Sequence, residues 1–274
     1  MKRKVYEQLL EWKSQEHHKP LILNGVRQCG KTYVLKEFGR QEFDSLAYVS
    51  CDRNVNLQAI YSGDFDVARI IQGLSALTGV DIIPGKTLIF LDEVQAFPQA
   101  LEALKYFCED APEYHIVVAG SLLGVALHAG VSFPVGKVQT LRLFPMDFEE
   151  FLMAMGEEQL LKLMHSHDYE LMNAFHEKLK DLLRQYYYVG GMPEVVKAFA
   201  ENKLLNQVRS LQNEILSNYA SDFSKHAPSQ EVPRIDMVWQ SILGQLSKEN
   251  KKFVYGVLKL SLIHISEPTR QAEI

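Results

Sequence analysis

Residues 21–32 read Leu21-Ile22-Leu23-Asn24-Gly25-Val26-Arg27-Gln28-Cys29-Gly30-Lys31-Thr32. The first part predicts a buried strand, and the stretch from Gly25 onward matches the pattern G-x-x-x-x-G-K-[ST] at every fixed position. Apolar side chains then recur at helical spacing from Tyr33 to Phe38. A strand before the pattern and a helix after it are the context that a phosphate-binding loop requires, so we predict such a loop here.

The residue types in this loop suit a nucleoside triphosphate. Glycines let the backbone curl so that successive N–H groups and the start of the next helix face phosphate oxygens. We expect Lys31 to act as a catalytic group on the β- and γ-phosphates, and the hydroxyl of Thr32 to bind Mg²⁺. Cys29 is either sensitive to thiol reagents or a small residue that fills space. The expected phosphate-binding residues are Gly25, Val26, Arg27, Gln28, Cys29, Gly30, Lys31 and Thr32.

A second pattern places two carboxylates after an apolar run. Residues Thr87 to Leu91 are continuously apolar after the threonine, as is typical of a strand buried on both faces of a parallel sheet, and Asp92-Glu93 follow directly. Ligands bind at the carboxyl ends of such strands. We therefore predict that Asp92 holds Mg²⁺, mostly through water, and that Glu93 orients and deprotonates the attacking water.

Further candidates for the site are less well defined by the sequence. Ser121 follows the predicted strand 116–119. We expect it to contact the γ-phosphate or the lytic water, to cap a helix over residues 122–128, or to do both. Hydrolysis also profits from an arginine that stabilises the transferred phosphoryl group. Arg142, Arg69 and Arg184 are candidates for that arginine.

The order of the elements predicts the fold class. Strands and helices alternate five times before Pro145, which indicates an α/β fold: a three-layer P-loop NTPase domain with a parallel five-stranded sheet. We assign residues 1–146 to this domain, 147–230 to a helical lid, and 231–260 to the start of a truncated C-terminal module. Residues 261–274 continue neither a helical nor a strand pattern and resemble translated adapter sequence, so we expect an artefactual tail.

Composition is that of an ordinary globular protein. The chain has 274 residues, 47% of them hydrophobic, and a formal net charge of -5, which gives no electrostatic case for nucleic-acid binding by the whole chain. Three scattered cysteines are too few for a disulfide framework or a zinc site. No run approaches the roughly 18 apolar residues of a membrane helix, so we expect a cytoplasmic protein without a membrane partner.

Together the motifs resemble those of a known family. The phosphate loop, Ile89–Gln95, Ala119–Ser121, Leu143–Phe151 and Gly190–Val195 resemble the AAA-like P-loop ATPases of prokaryotes that end in an uncharacterised domain. The resemblance implies ATP and Mg²⁺ as cofactors, a helical lid and a winged-helix or nuclease-like C-terminal portion. DNA, a protein effector and a homo-oligomer are the candidate partners.

One of these motifs also implies a contact with the nucleotide. Gly191-Met192-Pro193 resembles the turn by which signalling ATPases hold their lid against the adenine, which makes Pro193 an expected cofactor-binding residue. The arginine sensors that follow the fourth strand in some of these switches have no counterpart after Ser121. Efficient turnover by the chain alone is therefore not expected from the resemblance.

Two hypotheses about function follow. The first is an ATPase whose hydrolysis moves the lid and an attached effector. The second is a nucleotide-gated binding module, on DNA or another partner, in which ATP chiefly locks one conformation. A small-molecule kinase is a distant third, because Glu93 beside Asp92 would favour attack by water.

Overall fold

The computed structural model describes residues 1–52, 54–63, 65–121, 134–227, 230–247 and 253. The chain divides into two compact units, Met1–Leu204 and Leu205–Ile274. The predicted helix over 122–128 and the predicted tail 261–274 lie outside the described residues, as does most of 248–260. The boundaries expected after residues 146 and 230 stay predictions.

The first unit begins with an alternation of strands and helices. Its elements up to the last strand are α1 (Val5–Ser14), β1 (Leu21–Gly25), α2 (Lys31–Glu42), β2 (Ser45–Ser50), α3 (Asn56–Ile60), α4 (Val67–Thr78), β3 (Thr87–Asp92), a 3₁₀ turn (Val94–Ala96), α5 (Gln99–Asp110), β4 (His115–Gly120) and β5 (Gln139–Leu143). The helices that follow are α6 (Phe148–Ala154), α7 (Glu158–Ser166), α8 (Tyr169–Ala174), α9 (His176–Val189) and α10 (Pro193–Asn202).

The five strands form one parallel sheet in the order β2-β3-β4-β1-β5. Its strands β3 and β4 are buried along their whole length, which agrees with their unbroken apolar sequences. In this order the phosphate-loop strand β1 lies beside β4 and one strand away from β3. The carboxyl ends of the three strands therefore share one edge of the sheet, and the predicted α/β P-loop NTPase-like fold with five parallel strands is confirmed.

Alternating side chains of β1 explain the three layers. Leu21 and Leu23 pack into the hydrophobic cluster that contains residues of α1 and α2, while Ile22 packs into the cluster that contains residues of α4 and α5. The period of two along a strand sends neighbouring side chains to opposite faces. Because both faces are covered by helices, the strands at the centre of the sheet read as continuous apolar runs.

The helices after β5 differ in detail from the expected pattern. A single helix near 168–188 is predicted, but the structure has two, α8 and α9, which meet at Phe175. Phe175 has backbone angles of φ -105° and ψ 11°, outside the α-helical range, and this ends α8. Buried Leu152, Leu160 and Leu182 join α6, α7 and α9 in a separate hydrophobic cluster.

The second unit contains two described helices. They are α11 (Leu205–His226) and α12 (Val232–Leu246), and the rings of Tyr219 and Trp239 stack between them at a centroid distance of 6.1 Å. Pro233 lies in the first turn of α12, where a missing N–H is tolerated. Among all the helices described in the chain, each is too short or too polar to cross a membrane.

Candidate nucleotide site

The glycine-rich loop connects β1 to α2 through two residues with left-handed backbone. Gln28 has a φ of 61° and Gly30 a φ of 92°, so the loop makes the sharp turn that brings α2 back against the sheet. Gly25 is required for a different reason. A Cβ at this position would overlap the carbonyl oxygen of Leu143, because the end of β5 approaches the loop closely.

Lys31 begins α2 and folds its side chain into the loop. Its Nζ donates to the carbonyl oxygens of Gly25 and Val26 at 2.8 and 2.9 Å. Burial lowers the pKa of Lys31, and the nearby carboxylates of Glu93 and Asp92 oppose that shift. The ammonium group is thus held at the loop by backbone acceptors, with the two carboxylates close enough to act on its charge.

The two predicted magnesium ligands meet in the structure. The hydroxyl of Thr32 donates to Oδ2 of Asp92 at 2.8 Å, and the backbone N–H of Glu93 donates to Oδ1 of Asp92 at 3.0 Å. Tyr48 on β2, which the sequence did not reveal, also donates to Oδ2 of Asp92, at 3.3 Å. A hydroxyl and a buried carboxylate side by side are the oxygen donors that Mg²⁺ prefers, so these residues fit the ion.

Glu93 has an unusual backbone conformation. Its φ of 52° and ψ of 42° are left-handed, which costs a residue with a Cβ about 1–2 kcal/mol. Nε2 of Gln95, in the 3₁₀ turn that follows, donates to Oε2 of Glu93. Such strain tends to persist where a surrounding structure fixes it for a purpose. Here the turn directs Glu93 away from the path of the strand while Asp92 continues it.

Ser121 follows the end of β4. Its Oγ is buried and has no hydrogen-bond partner among the described residues. The preceding Gly120 pairs with Asn24 of β1, which puts Ser121 at the same edge of the sheet as the loop and Asp92. A buried hydroxyl without a partner is an exception that calls for a ligand, a water or a proton acceptor.

Comparisons with known proteins agree with this geometry. Residues 17–152, from before β1 into α6, match the family described as AAA domain, and residues 180–272 match a domain of unknown function, DUF8612. Residues 17–152 form an AAA-like P-loop domain. The comparison with curated proteins found no match to the chain.

Two solved structures resemble the chain. The Walker-type ATPase PABY2304 of Pyrococcus abyssi aligns with a TM-score of 0.56 at 16% identity over 89% of this chain and 80% of that one. The structure of Drosophila ORC bound to DNA aligns with a TM-score of 0.44 at 13% identity over 92% and 82% of the two chains. The first likeness supports the fold; the second is too low in TM-score to add to it.

Outside the predicted motifs, the first unit has a buried arginine near its N-terminus. The side chain of Arg3 donates to the carbonyl oxygen of Cys29 in the loop at 2.8 Å, to that of Phe144 after β5 at 2.6 Å, and to Oε1 of Glu150 in α6 at 3.0 Å. Sequence reasoning missed this residue. Its partners lie 26, 141 and 147 residues away, so no local pattern could have indicated them.

The helix α10, in the first unit, begins beside the loop. A Cβ placed on Gly30 would lie 3.7 Å from Cγ of Pro193, the first residue of α10. Gly30, Tyr33, Pro193 and Lys197 help to line a cavity of about 480 Å³ at this place. Asp92 and Glu93 are not part of its lining. The loop therefore has carboxylates on one side and a cavity on another.

Cys29 lies in the loop with no exposed surface. Burial raises the pKa of its thiol, while the positive charges of Lys31 and Arg3 oppose the shift. A buried thiol with a raised pKa is a poor nucleophile. Of the two sequence hypotheses for Cys29, these observations favour the one in which it fills space under the loop.

Two of the candidate arginines have other contacts in the first unit. Arg69 donates to the carbonyl oxygens of Ala59 and Ser62 at the end of α3, and Arg184 pairs with Asp181 on the surface of α9. Arg142 is exposed on β5. The role of each in stabilising the phosphoryl group stays a prediction.

Proposed function

We propose that the chain is a Mg²⁺-dependent ATPase whose site lies between the loop Gly25–Thr32 and the carboxylates Asp92 and Glu93. The observation that carries this proposal is the hydrogen bond between Thr32 Oγ1 and Asp92 Oδ2, which joins the two motifs at one edge of the sheet. Ligands of parallel α/β sheets bind at that edge.

Each group has a separate task in the proposed reaction. The loop amides and Lys31 bind the phosphate oxygens; Lys31 exchanges its carbonyl partners for them. Thr32 and Asp92 would hold Mg²⁺, which would supply positive charge against the phosphate oxygens when bound. Glu93 orients the attacking water and accepts its proton, and Ser121 offers its unpaired hydroxyl to the water or the γ-phosphate.

The cavity beside Gly30 suits the nucleoside part of ATP. Its volume is within the range of small-molecule sites, and it continues from the loop toward Tyr33 and Pro193. Pro193 opens α10, so a nucleoside in this cavity would touch both the loop and the helical region after β5. The close approach of Pro193 to Gly30 supports the further proposal that hydrolysis changes the position of these helices, the predicted lid, and of an attached effector.

Slow turnover is expected from two contacts. Gln95 holds the carboxylate of Glu93, and backbone carbonyls hold the ammonium of Lys31. Both groups must leave these partners to act on ATP. A nucleotide-gated binding module with little turnover is the second candidate, and these two contacts are the observations that favour it.

The substitution Glu93→Gln tests the ATPase. It keeps the size of the side chain and removes the base, so steady-state ATP hydrolysis should fall at least about 100-fold. Binding of ATP, measured by calorimetry with Mg²⁺, should stay within a few-fold of the wild type. The matched control is Glu113→Gln, an exposed carboxylate, which should leave both quantities unchanged. Unchanged hydrolysis in Glu93→Gln would remove Glu93 from the mechanism.

The same assay separates the second candidate. If the wild type binds ATP but shows no hydrolysis above that of Glu93→Gln, ATP acts as a gate. Lys31→Ala should abolish ATP binding under either hypothesis, since it removes the charge at the loop.

A further inference from the structure

Arg3 is buried although it precedes the first helix. Arg3 is only 7% exposed. A charged residue is almost never buried unless it is paired. The three acceptors described above come from the phosphate loop, the end of β5 and α6. One guanidinium therefore joins three segments that are distant in sequence, and the fixed fork of its N–H groups suits several acceptors at once.

The hydrogen bond from Arg3 to the carbonyl of Cys29 also sets the direction of the N–H group in the same peptide. All described peptide bonds are trans, and in a planar trans peptide the C=O and the N–H point in opposite directions. Nη1 of Arg3 holds the carbonyl of the Cys29–Gly30 peptide at 2.8 Å. The N–H of Gly30 must then point away from Arg3. Gly30 itself is left-handed and has no Cβ, so the peptide would otherwise have more freedom to rotate.

Glu150 holds Arg3 in turn. Its Oε1 accepts from Nε of Arg3 at 3.0 Å and from the backbone N–H of Lys4 at 2.7 Å. Glu150 is also the third residue of α6, where it completes a capping box with Asp147. Because helix, capping box and salt bridge share this carboxylate, its position is strongly determined. Arg3 is anchored on one side and holds the loop on the other.

We propose that Arg3, anchored by Glu150, is a positioning residue for phosphate: it aims the Gly30 amide into the loop. This inference rests on the proposed function, because it assumes that the loop binds nucleotide phosphates. It assigns a role to a residue outside both motifs and gives the contact between α6 and the N-terminal segment a purpose in the site.

The experiment measures the affinity of the full chain for two probes, ATP with Mg²⁺ and inorganic tripolyphosphate, by calorimetry. The variant Arg3→Gln should bind both probes about tenfold more weakly, and by the same factor, because the defect lies in the phosphate cradle. The matched control is Lys4→Gln. It removes the neighbouring positive charge, whose ion pairs with Asp147 and Glu149 are on the surface, and should change neither affinity more than twofold.

Tripolyphosphate distinguishes the inference from its rival. Arg3 also helps to line the cavity beside Gly30, so it could act on the nucleoside instead. In that case ATP would bind more weakly and tripolyphosphate would not, which would overturn the inference. Unchanged affinity for both probes would overturn it as well. A wild-type chain that binds neither probe would refute the proposed function, and the inference with it.

A second variant, Glu150→Gln, tests the inference if Arg3→Gln does not fold. Glu150→Gln keeps the shape and the capping acceptor but removes the charge that anchors Arg3. This variant should bind both probes three- to tenfold more weakly than the wild type, while its circular dichroism spectrum shows a folded chain. Arg3→Lys should behave like Arg3→Gln on both probes, since an ammonium cannot reach three separated acceptors as the guanidinium does. Wild-type affinities in the folded Glu150→Gln and Arg3→Lys chains would refute the role of Arg3.

Discussion

At the scale of single residues, the bond between Thr32 and Asp92 is the most informative contact. If Thr32 is a metal ligand, Thr32→Val should raise the Mg²⁺ concentration for half-maximal hydrolysis about 10- to 100-fold, because it keeps the shape and loses the oxygen. Thr32→Ser keeps the oxygen and should stay within about fivefold of the wild type.

The matched control for this pair is Thr140→Val, which changes an exposed threonine on β5 in the same way. It should not alter the Mg²⁺ dependence. Equal Mg²⁺ requirements in Thr32→Val and the wild type would exclude Thr32 as a ligand.

A buried histidine predicts how stability depends on pH. His115 stacks on His18 at a centroid distance of 3.8 Å, with Trp12 and Phe43 at its edges. Burial, together with the charges of His18 and Lys13, lowers the pKa of His115 to about 4. Burial also lowers the pKa of His18. The unfolded chain therefore takes up protons at a higher pH than the folded chain does.

The sign of the effect follows from this difference. The contribution of His115 is fully present above the ordinary pKa of 6.5 and is lost as the pH falls toward 4. Between pH 7.5 and pH 5 the free energy of unfolding should fall by roughly 1–2 kcal/mol from His115. In His115→Phe, urea unfolding should show a smaller fall. Exposed His176→Gln serves as the control, and an equal pH dependence in wild type and His115→Phe would contradict the account.

Local sequence revealed the residues of the loop and the carboxylates because each motif is contiguous. It did not reveal Arg3, Tyr48 or Gln95. Arg3 and Tyr48 reach the site through contacts between distant segments. Gln95 lies only two residues from Glu93, but its contact depends on the left-handed backbone at Glu93. No residue type in this segment predicts that conformation.

At the scale of elements, the turn before α10 joins the end of the sheet region to the helices. The N–H of Met146 donates to the carbonyl of Gly191 at 2.6 Å, and Tyr186 donates to the carbonyl of Met146 at 3.0 Å. A Cβ on Gly191 would overlap that carbonyl of Met146. The glycine is therefore required by close approach of two backbones.

Gly191→Ala should lower the free energy of unfolding by about 1–3 kcal/mol, since the backbones must separate to make room for the methyl group. Gly244→Ala is the comparison. Gly244 lies inside α12 with nothing within 4 Å of an added Cβ, and its substitution should be neutral or stabilise by up to about 1 kcal/mol. Urea unfolding of both variants measures the effects. Equal effects would mean that the contact with Met146 is not tight.

Elements with a clear period were predicted well, and short ones were not. Strands β1 to β4 follow from apolar runs that end in polar or glycine residues, whereas β5 mixes polar and apolar residues. The short helix α3 and the helix α7 were missed, and the break at Phe175 was not expected. The starts of α3, α7 and α9 have no side-chain cap, so no capping residue in the sequence marked them.

At the scale of the whole molecule, the division at Leu204 predicts an independent first unit. Its sheet has helices on both faces, and the loop, carboxylates, Arg3 and Pro193 all belong to it. A chain of residues 1–204 should fold cooperatively in thermal unfolding and bind ATP with Mg²⁺ as the full chain does, within about threefold. An unfolded fragment, or one that has lost ATP binding, would show that the second unit is needed.

The sheet order is what brings the motifs together. The two patterns are separate in sequence. The parallel orientation of the strands puts the loop, Ser121 and Asp92 on one edge, and the placement of β4 between β1 and β3 brings them near one another. Sequence alone predicted parallel strands and the edge at which ligands bind. It did not fix the order of the strands, because that order depends on which long-range pairings close the core.

The central claim is that this edge holds ATP and its metal. The most direct test is a crystal structure of the chain with Mg²⁺ and a non-hydrolysable ATP analogue. We expect the triphosphate within Gly25–Thr32, the ion about 2.1 Å from Oγ1 of Thr32, and Asp92 in its hydration shell. A nucleotide bound elsewhere, or an ion that contacts neither Thr32 nor Asp92, would contradict the proposed ATPase site.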